Sequence, residues 1–399
     1  MSIGVNLRAS KFIKAGVNMD FIWGVFGILV VLGIGYAFST NRKAINWRIV
    51  LSGLVIQITF AFIVLKWDLG RRALTKLSDA VQQVVSYANE GISFLFGGLA
   101  NADIVGFVFA INVLTIIIFI SSLISVLYYL GIMQIVIQVI GGFLSKILGT
   151  SKAESVSATA NIFVGLTEAP LVIRPFLNTM TKSQLFAVMT GGLASVSGSV
   201  LVGYSLLGVP LEYLLAASFM AAPAGLVLAK LIIPETEEVD ESDFKLERDN
   251  SATNVIEAAA NGAGDGLKLA ANVGAMLLAF IALIALVNGI LGGIGGWFGL
   301  ENITLENILG YVFAPLAFVI GVPWEEAISA GSFIGQKLVL NEFVAYSNFG
   351  PVIGEFSAKA AMIISFALCG FANLSSMAML IGGLGGIAQT SVQQWHNWQ

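Results

Sequence analysis

Two carboxylates in strongly apolar surroundings carry the chemistry of this sequence. Glu168 lies in Asn161-Ile-Phe-Val-Gly-Leu-Thr-Glu-Ala-Pro170, where Asn161, Thr167, Glu168 and Arg174 fall within 14 residues. Glu342 lies far downstream, in Leu340-Asn-Glu-Phe343. A carboxylate at membrane depth is costly unless compensated, so it usually marks a substrate or ion path. The competing reading for each is a structural ion pair, with Arg174 or Lys337 as the partner.

The composition sets that depth. Hydrophobic residues make up 57% of the 399 and charged residues 11%, against about 25% charged in soluble domains. The class is therefore an all-α integral membrane protein, with roughly eight to ten spans of about 20 residues each. The 44 glycines suit helices that approach closely or break. The single Cys369 excludes an intramolecular disulfide and a cysteine metal cluster, and the single His396 argues against histidine catalysis. A net charge of −4 points to no partner class, and no nucleic acid is expected. Arg8, Lys11 and Lys14 precede an apolar stretch at 21–38 with no clear cleavage site after it, so that stretch reads as a first span.

Around the two carboxylates the elements fall in a readable order. The basic loop 41–48 favours the cytoplasmic side, and a second span follows at 49–65. Residues 67–101 interleave Arg71, Arg72, Lys76 and Asp79 with Leu and Val, the pattern of an amphipathic surface segment. A third span is predicted at 104–130 and an interfacial helix at 131–148. Residues 153–180, with polar interruptions and Pro170 and Pro175, read as a re-entrant hairpin, which is tolerated only when buried in protein or lining water. A span at 183–207 is interrupted at Ser195-Val-Ser-Gly-Ser199, and another runs from 211 to 233. The acidic run 234–250 is a solvated loop. A span at 267–290 leads into a glycine-rich turn at 292–297. Residues 308–349 read as a second interfacial helix and hairpin, and 360–387 as a helix broken at Asn373-Leu-Ser-Ser376.

The halves align at their breaks. Gly192-Leu-Ala-Ser-Val-Ser-Gly198 matches Gly370-Phe-Ala-Asn-Leu-Ser-Ser376, and Phe163-Val-Gly165 matches Phe333-Ile-Gly335. Repeats of a hairpin and a broken helix are a common construction of secondary transporters. A polar solute must exchange its hydration for protein groups, and broken helices expose unpaired N–H and C=O. Asn161, Val164, Ser195 and Val196 could shell a hard cation such as Na⁺. Glu168, Glu342, Asn373 and Ser376 could hold a polyhydroxylated ligand, with Phe371 packed on it.

From about residue 21 to 390 the chain resembles the concentrative nucleoside transporters. The resemblance is carried by 161–170, Gly191-Gly-Leu-Ala-Ser195, Asn341-Glu-Phe-Val-Ala-Tyr346 and Ser365-Phe-Ala-Leu-Cys-Gly-Phe-Ala-Asn-Leu-Ser-Ser376. It implies two repeats of re-entrant hairpin plus broken helix around a scaffold of spanning helices, in a homotrimer within the bacterial inner membrane. It implies that Gly165, Leu166, Thr167, Glu168 and Val200 face the nucleobase. Glu342, Phe371, Asn373 and Ser376 would face the ribose, and Asn161, Val164, Ser195 and Val196 would bind the coupling Na⁺. An outside N-terminus would place 41–48 and 234–262 in the cytoplasm.

The implied organisation is a scaffold and surface helix at 1–130, a first transport repeat at 131–233, an acidic loop at 234–262, a scaffold span at 263–300 and a second transport repeat at 301–399. Two departures stand out. The family has glutamine where this chain has Leu166, and leucine cannot hydrogen-bond a base edge, so altered base selectivity is expected. The family pattern also continues into one more span, whereas this sequence closes on Gln-Gln-Trp-His-Asn-Trp-Gln399. The function expected is sodium-coupled nucleoside uptake by alternating access. The alternatives are H⁺ coupling through Glu168 or Glu342 and, in a different class, an intramembrane aspartyl hydrolase suggested by Gly262-Ala-Gly-Asp265. That hydrolase would need a second aspartate on a facing span.

Overall fold

The computed structural model describes residues 21–387 apart from 167, 174, 175, 178, 238–251 and 300–302, and apart from the side chains of 102 and 381–387. Thr167, Arg174, Pro175, most of the acidic loop and the C-terminal residues therefore lie outside the described residues. Among the described residues every regular element is helical.

Helix α1, Phe21–Ala37, leads through the basic loop to α2, Trp47–Leu65, whose first turn is capped by Asn46. Its 19 residues reach about 28 Å, close to the thickness of the bilayer core. The surface segment is α3, Asp68–Ser86, and α4, Ala88–Phe96; in α3 only Gly70 and Ser78 are buried. The third span starts later than 104. The short α5, Ala102–Val105, ends at Gly106 with φ +79°, and a π-type turn at Ala110–Leu114 leads into α6, Thr115–Tyr129. Helix α7, Ile132–Leu148, is set off by left-handed glycines at 131 and 149.

The first hairpin is α8, Lys152–Ala160, and the short α9, Ala169–Val172, which has Pro170 in its first turn. Capping boxes start α8 (Ser151 with Glu154) and α10, Lys182–Ala194 (Thr181 with Gln184). The predicted break follows, and α11 resumes at Gly198–Leu206 before α12, Leu211–Ile232. In the second half, α14, Leu305–Val319, and α15, Trp324–Val339, are bent by 117° across their break. Helix α16, Glu342–Phe349, closes the second hairpin, and α17, Ala358–Leu368, and α18, Leu374–Ile387, form the second broken helix.

Helix α13 corrects three readings. It runs unbroken over Val255–Trp297, 43 residues, so it starts inside the stretch assigned to the acidic loop, and the glycine run 292–297 is helical. Asn254 supplies its N-cap, a signal that the acidic composition upstream masks. Gly262 and Gly266 are packing positions. A Cβ on Gly262 would stand 2.5 Å from Cβ of Ser125, and one on Gly266 would stand 2.7 Å from Cα of Ile118, so α13 lies directly against α6. Asp265 does not start the helix: it is mid-helix and exposed, paired with Lys268 at 3.0 Å.

Five described helices are long and apolar enough to cross a membrane, or six with the bent pair taken as one. The expectation of eight to ten was for the whole chain; among the described residues α1, α7 and α17 are apolar but shorter. One repeat alignment also fails. Phe333–Gly335 lies within α15, whereas Phe163–Gly165 lies at a hairpin tip.

The first half is tied at its base by charge. Lys230 Nζ on α12 meets Glu154 Oε2 at 2.7 Å with both side chains under 5% exposed, and donates to Ser183 Oγ at 2.9 Å. It also pairs with Glu235 at 3.2 Å, whose carboxylate accepts from Thr181 Oγ1. One ammonium thus joins the starts of α8 and α10 to the end of α12.

Candidate functional site

The two breaks and the two hairpin tips converge. At the first tip the chain leaves α8 at Asn161, which is fully buried. Its Nδ2 donates to the Ser157 carbonyl at 3.0 Å, and its Oδ1 has no hydrogen-bond partner. Just beyond, the Phe163 carbonyl accepts from the Gly198 N–H at 3.1 Å, which pins the tip to the break between α10 and α11. Ser195 ends α10 and is buried, with Oγ donating to the Gly191 carbonyl at 2.8 Å. Gly191 itself lies against the Asn161 amide. Asn161, Val164, Ser195 and Val196 are all under 9% exposed and stand where two helices end.

The breaks also touch each other. The Phe371 N–H donates to the Ser195 carbonyl at 3.0 Å. Gly370 allows that approach, since a Cβ there would lie 3.0 Å from the Ala194 carbonyl oxygen. Phe371 packs on both main apolar clusters, one holding Val196, Val200 and Phe343 and the other holding Val164, Leu166 and Ala169.

At the second tip Asn341 caps α16 through its Oδ1 and the Val344 N–H, 2.9 Å, which places Glu342 at the first helical position. Glu342 is 4% exposed and both of its oxygens are engaged. Oε1 accepts from Tyr204 OH at 3.0 Å and Oε2 from Asn373 Nδ2 at 3.0 Å. Asn373 in turn starts α18, its Oδ1 accepting from the Ser376 N–H at 2.8 Å. Ser376 is buried beside it. Among the described residues no ion pair joins Glu342 to Lys337.

Glu168 behaves differently. It is exposed, and its Oε2 accepts from the Gly165 N–H at 3.2 Å. Leu166 is buried and faces the apolar cluster of the first hairpin, near Gly192. Val200 is buried one turn before Tyr204 on α11.

Tyr204 escaped the sequence reading. It is fully buried, stacks on Tyr346 at 4.5 Å and meets Phe343 edge-on at 4.7 Å. Its only local signal is a tyrosine one turn from Val200 in an apolar half-helix, and its partner is 138 residues away.

The arrangement offers hard oxygens at two helix ends and a carboxylate at the start of α16, held by Asn373 at the start of α18 and by Tyr204 of α11. That is a solute site on broken helices, as transporters build them. Family models for the Na⁺ dependent nucleoside transporter N-terminus and C-terminus match residues 26–99 and 213–396, and a nucleoside recognition (Gate) model matches 110–210. The chain is 61% identical to the Bacillus subtilis transporter YutK over 372 residues, covering 93% of this chain and 92% of that one. It is 53% identical to the Helicobacter pylori nucleoside permease NupC over 377 residues, with 92% and 90% covered. With rat sodium/nucleoside cotransporter 2 it shares 41% identity over 376 residues, 90% of this chain and 56% of the longer relative. The fold matches CNTnw in an inward-facing substrate-bound state with a TM-score of 0.88 and 55% identity, covering 94% of this chain and 91% of CNTnw. An outward-facing CNTnw variant matches at 0.91 and 54% identity, with 94% and 93% covered. These relatives are permeases and cotransporters, which sets the hydrolase reading of Asp265 aside. The chain is a multi-pass membrane protein that belongs to the concentrative, Na⁺-dependent nucleoside transporter family.

Proposed function

We propose that this protein couples nucleoside uptake across the bacterial inner membrane to Na⁺, by alternating access. The observation that carries the coupling is Asn161 Oδ1, a buried amide oxygen without a hydrogen-bond partner at the C-terminal end of α8. A buried acceptor left unmade costs free energy, and helix C-terminal ends favour cations. The donor set suits a hard monovalent ion: the Asn161 amide, the Ser195 hydroxyl, and the Val164 and Val196 carbonyls. When bound, Na⁺ supplies positive charge that holds the first tip and the α10–α11 break together.

In this reading Gly165, Leu166, Thr167, Glu168 and Val200 contact the nucleobase. Glu342, Asn373 and Ser376 contact the ribose hydroxyls, with Phe371 against the apolar part of the ligand. The hairpins and broken helices move as the transport part, against a scaffold built from the surface helices, α6 and α13, in a homotrimer. Ion and nucleoside must favour one another's binding by the same free energy.

Proteoliposomes loaded to give a Na⁺ gradient should accumulate nucleoside, and Asn161→Leu should abolish the dependence on Na⁺ while leaving the protein folded. Uptake that ignores Na⁺ and follows a pH gradient would replace this reading with H⁺ coupling through Glu168 or Glu342.

A further inference from the structure

A groove of about 1070 Å³ opens where α3 meets the end of α2, the start of α12 and α17, and it shares no residue with the nucleoside site. Four cations from the end of α2 and from α3 line it, Lys66, Arg71, Arg72 and Lys76, with Lys359, itself partnered, on the α17 side, against one carboxylate, Glu212. Glu212 is already engaged, accepting from Thr75 Oγ1 at 2.7 Å. Arg71 pairs with Asp68 at 3.0 Å, but both are well exposed, and such a pair leaves the cation available. The rest of the wall is largely apolar, with Leu65, Leu69 and Met362 among its residues.

The groove is held by packing. A Cβ at Gly70 would stand 2.1 Å from the Ile63 carbonyl oxygen, so α3 folds tightly back on α2. The Thr75–Glu212 hydrogen bond then fastens α3 to α12. Helix α2 separates this groove from the basic loop 41–48 by its whole length, so the two lie at opposite ends of one apolar helix. Lys66, Arg71, Arg72 and Lys76 are all exposed, so an anion can reach them from outside the protein. Helix α3 is amphipathic with Leu69 and Leu77 exposed, the arrangement of a helix lying at the headgroup level, where phospholipid phosphates offer such an anion.

We propose that this groove binds an anionic phospholipid. The headgroup phosphate sits among Arg71, Arg72 and Lys76, where guanidinium forks match its oxygens, and an acyl chain lies along Leu65, Leu69 and Met362. The lipid bridges the surface helix to α12 and to the second broken helix. The site is independent of which ion drives transport.

The test uses the full chain reconstituted in vesicles of phosphatidylcholine and phosphatidylglycerol, with co-purified lipid counted by native mass spectrometry. Wild type should retain phosphatidylglycerol over phosphatidylcholine. Arg71→Gln/Arg72→Gln/Lys76→Gln should lower that preference roughly tenfold or more, since each cation near a surface favours anionic lipid. Met362→Trp, which fills the wall without changing charge, should also lower retention; it decides the matter if the triple variant loses nucleoside-induced thermal stabilisation. Inorganic phosphate should not displace the lipid. Unchanged retention in both variants, or displacement by phosphate alone, would overturn the proposal.

Discussion

The two halves share a plan, a hairpin followed by a broken helix, yet they turn opposite helix ends toward the site. In the first half Asn161 and Ser195 stand at the C-terminal ends of α8 and α10. In the second, Glu342 opens α16 and Asn373 opens α18. A helix carries about half a positive charge at its N-terminus and half a negative one at its C-terminus. The first arrangement therefore suits a cation, and the second steadies a carboxylate. The carboxylates differ in the same sense. Glu342 is buried with both oxygens taken, whereas Glu168 is exposed and leans on its own backbone. Near-repeated topology thus yields unlike chemistry through the placement of a few polar side chains relative to helix ends.

The largest effect should come from breaking the base of the first half. Lys230→Met leaves Glu154 buried without its charge partner, and removing one member of such a pair costs about 3–5 kcal/mol. Thermal unfolding in detergent should show a large drop, mostly recovered by Lys230→Met/Glu154→Leu. The second half is closed differently, by the half-buried Glu326 accepting from the Ser357 N–H and hydroxyl. Glu326→Gln keeps one oxygen acceptor and should cost about 1–2 kcal/mol, less than the loss of Lys230, and equal losses in the two halves would erase the contrast.

Next come the two carboxylates. Glu342→Gln turns one of the two oxygens that Tyr204 and Asn373 bond to into an amide nitrogen, and a buried donor left without its acceptor costs about 1–3 kcal/mol. It should lower the stability of the nucleoside-free protein as well as nucleoside affinity, and Tyr204→Phe should reproduce part of both losses. Glu168→Gln keeps an acceptor for the Gly165 N–H, so it should weaken nucleoside binding while shifting stability by less than about 0.5 kcal/mol. Calorimetric titration beside melting curves separates the two cases. The smallest effect should be Leu166→Gln, which adds an amide able to reach a base edge. A change of purine against pyrimidine preference by a few fold, near 1 kcal/mol, is expected in competition uptake. No change would leave Leu166 as a core residue of the first hairpin.

Hydropathy and interruption are local properties, so the sequence by itself determined the membrane class, the hairpins and the existence of two breaks; those read at 195–199 and 373–376 fall at 195–197 and 369–373, so Leu374–Ser376 already belong to α18. The motif residues Asn161, Ser195, Glu342 and Asn373 were legible for the same reason, because a polar group inside an apolar run stands out without any knowledge of its neighbours. The start of α13 was lost because acidic composition outweighed one Asn cap. Only the tertiary structure decided that Tyr204 and Asn373 share Glu342, that Lys230 holds Glu154, and that the Ser195 carbonyl receives the Phe371 N–H. Those contacts join residues from 31 to 176 positions apart. They exist because helices that cannot satisfy their broken ends within one segment must satisfy them against each other.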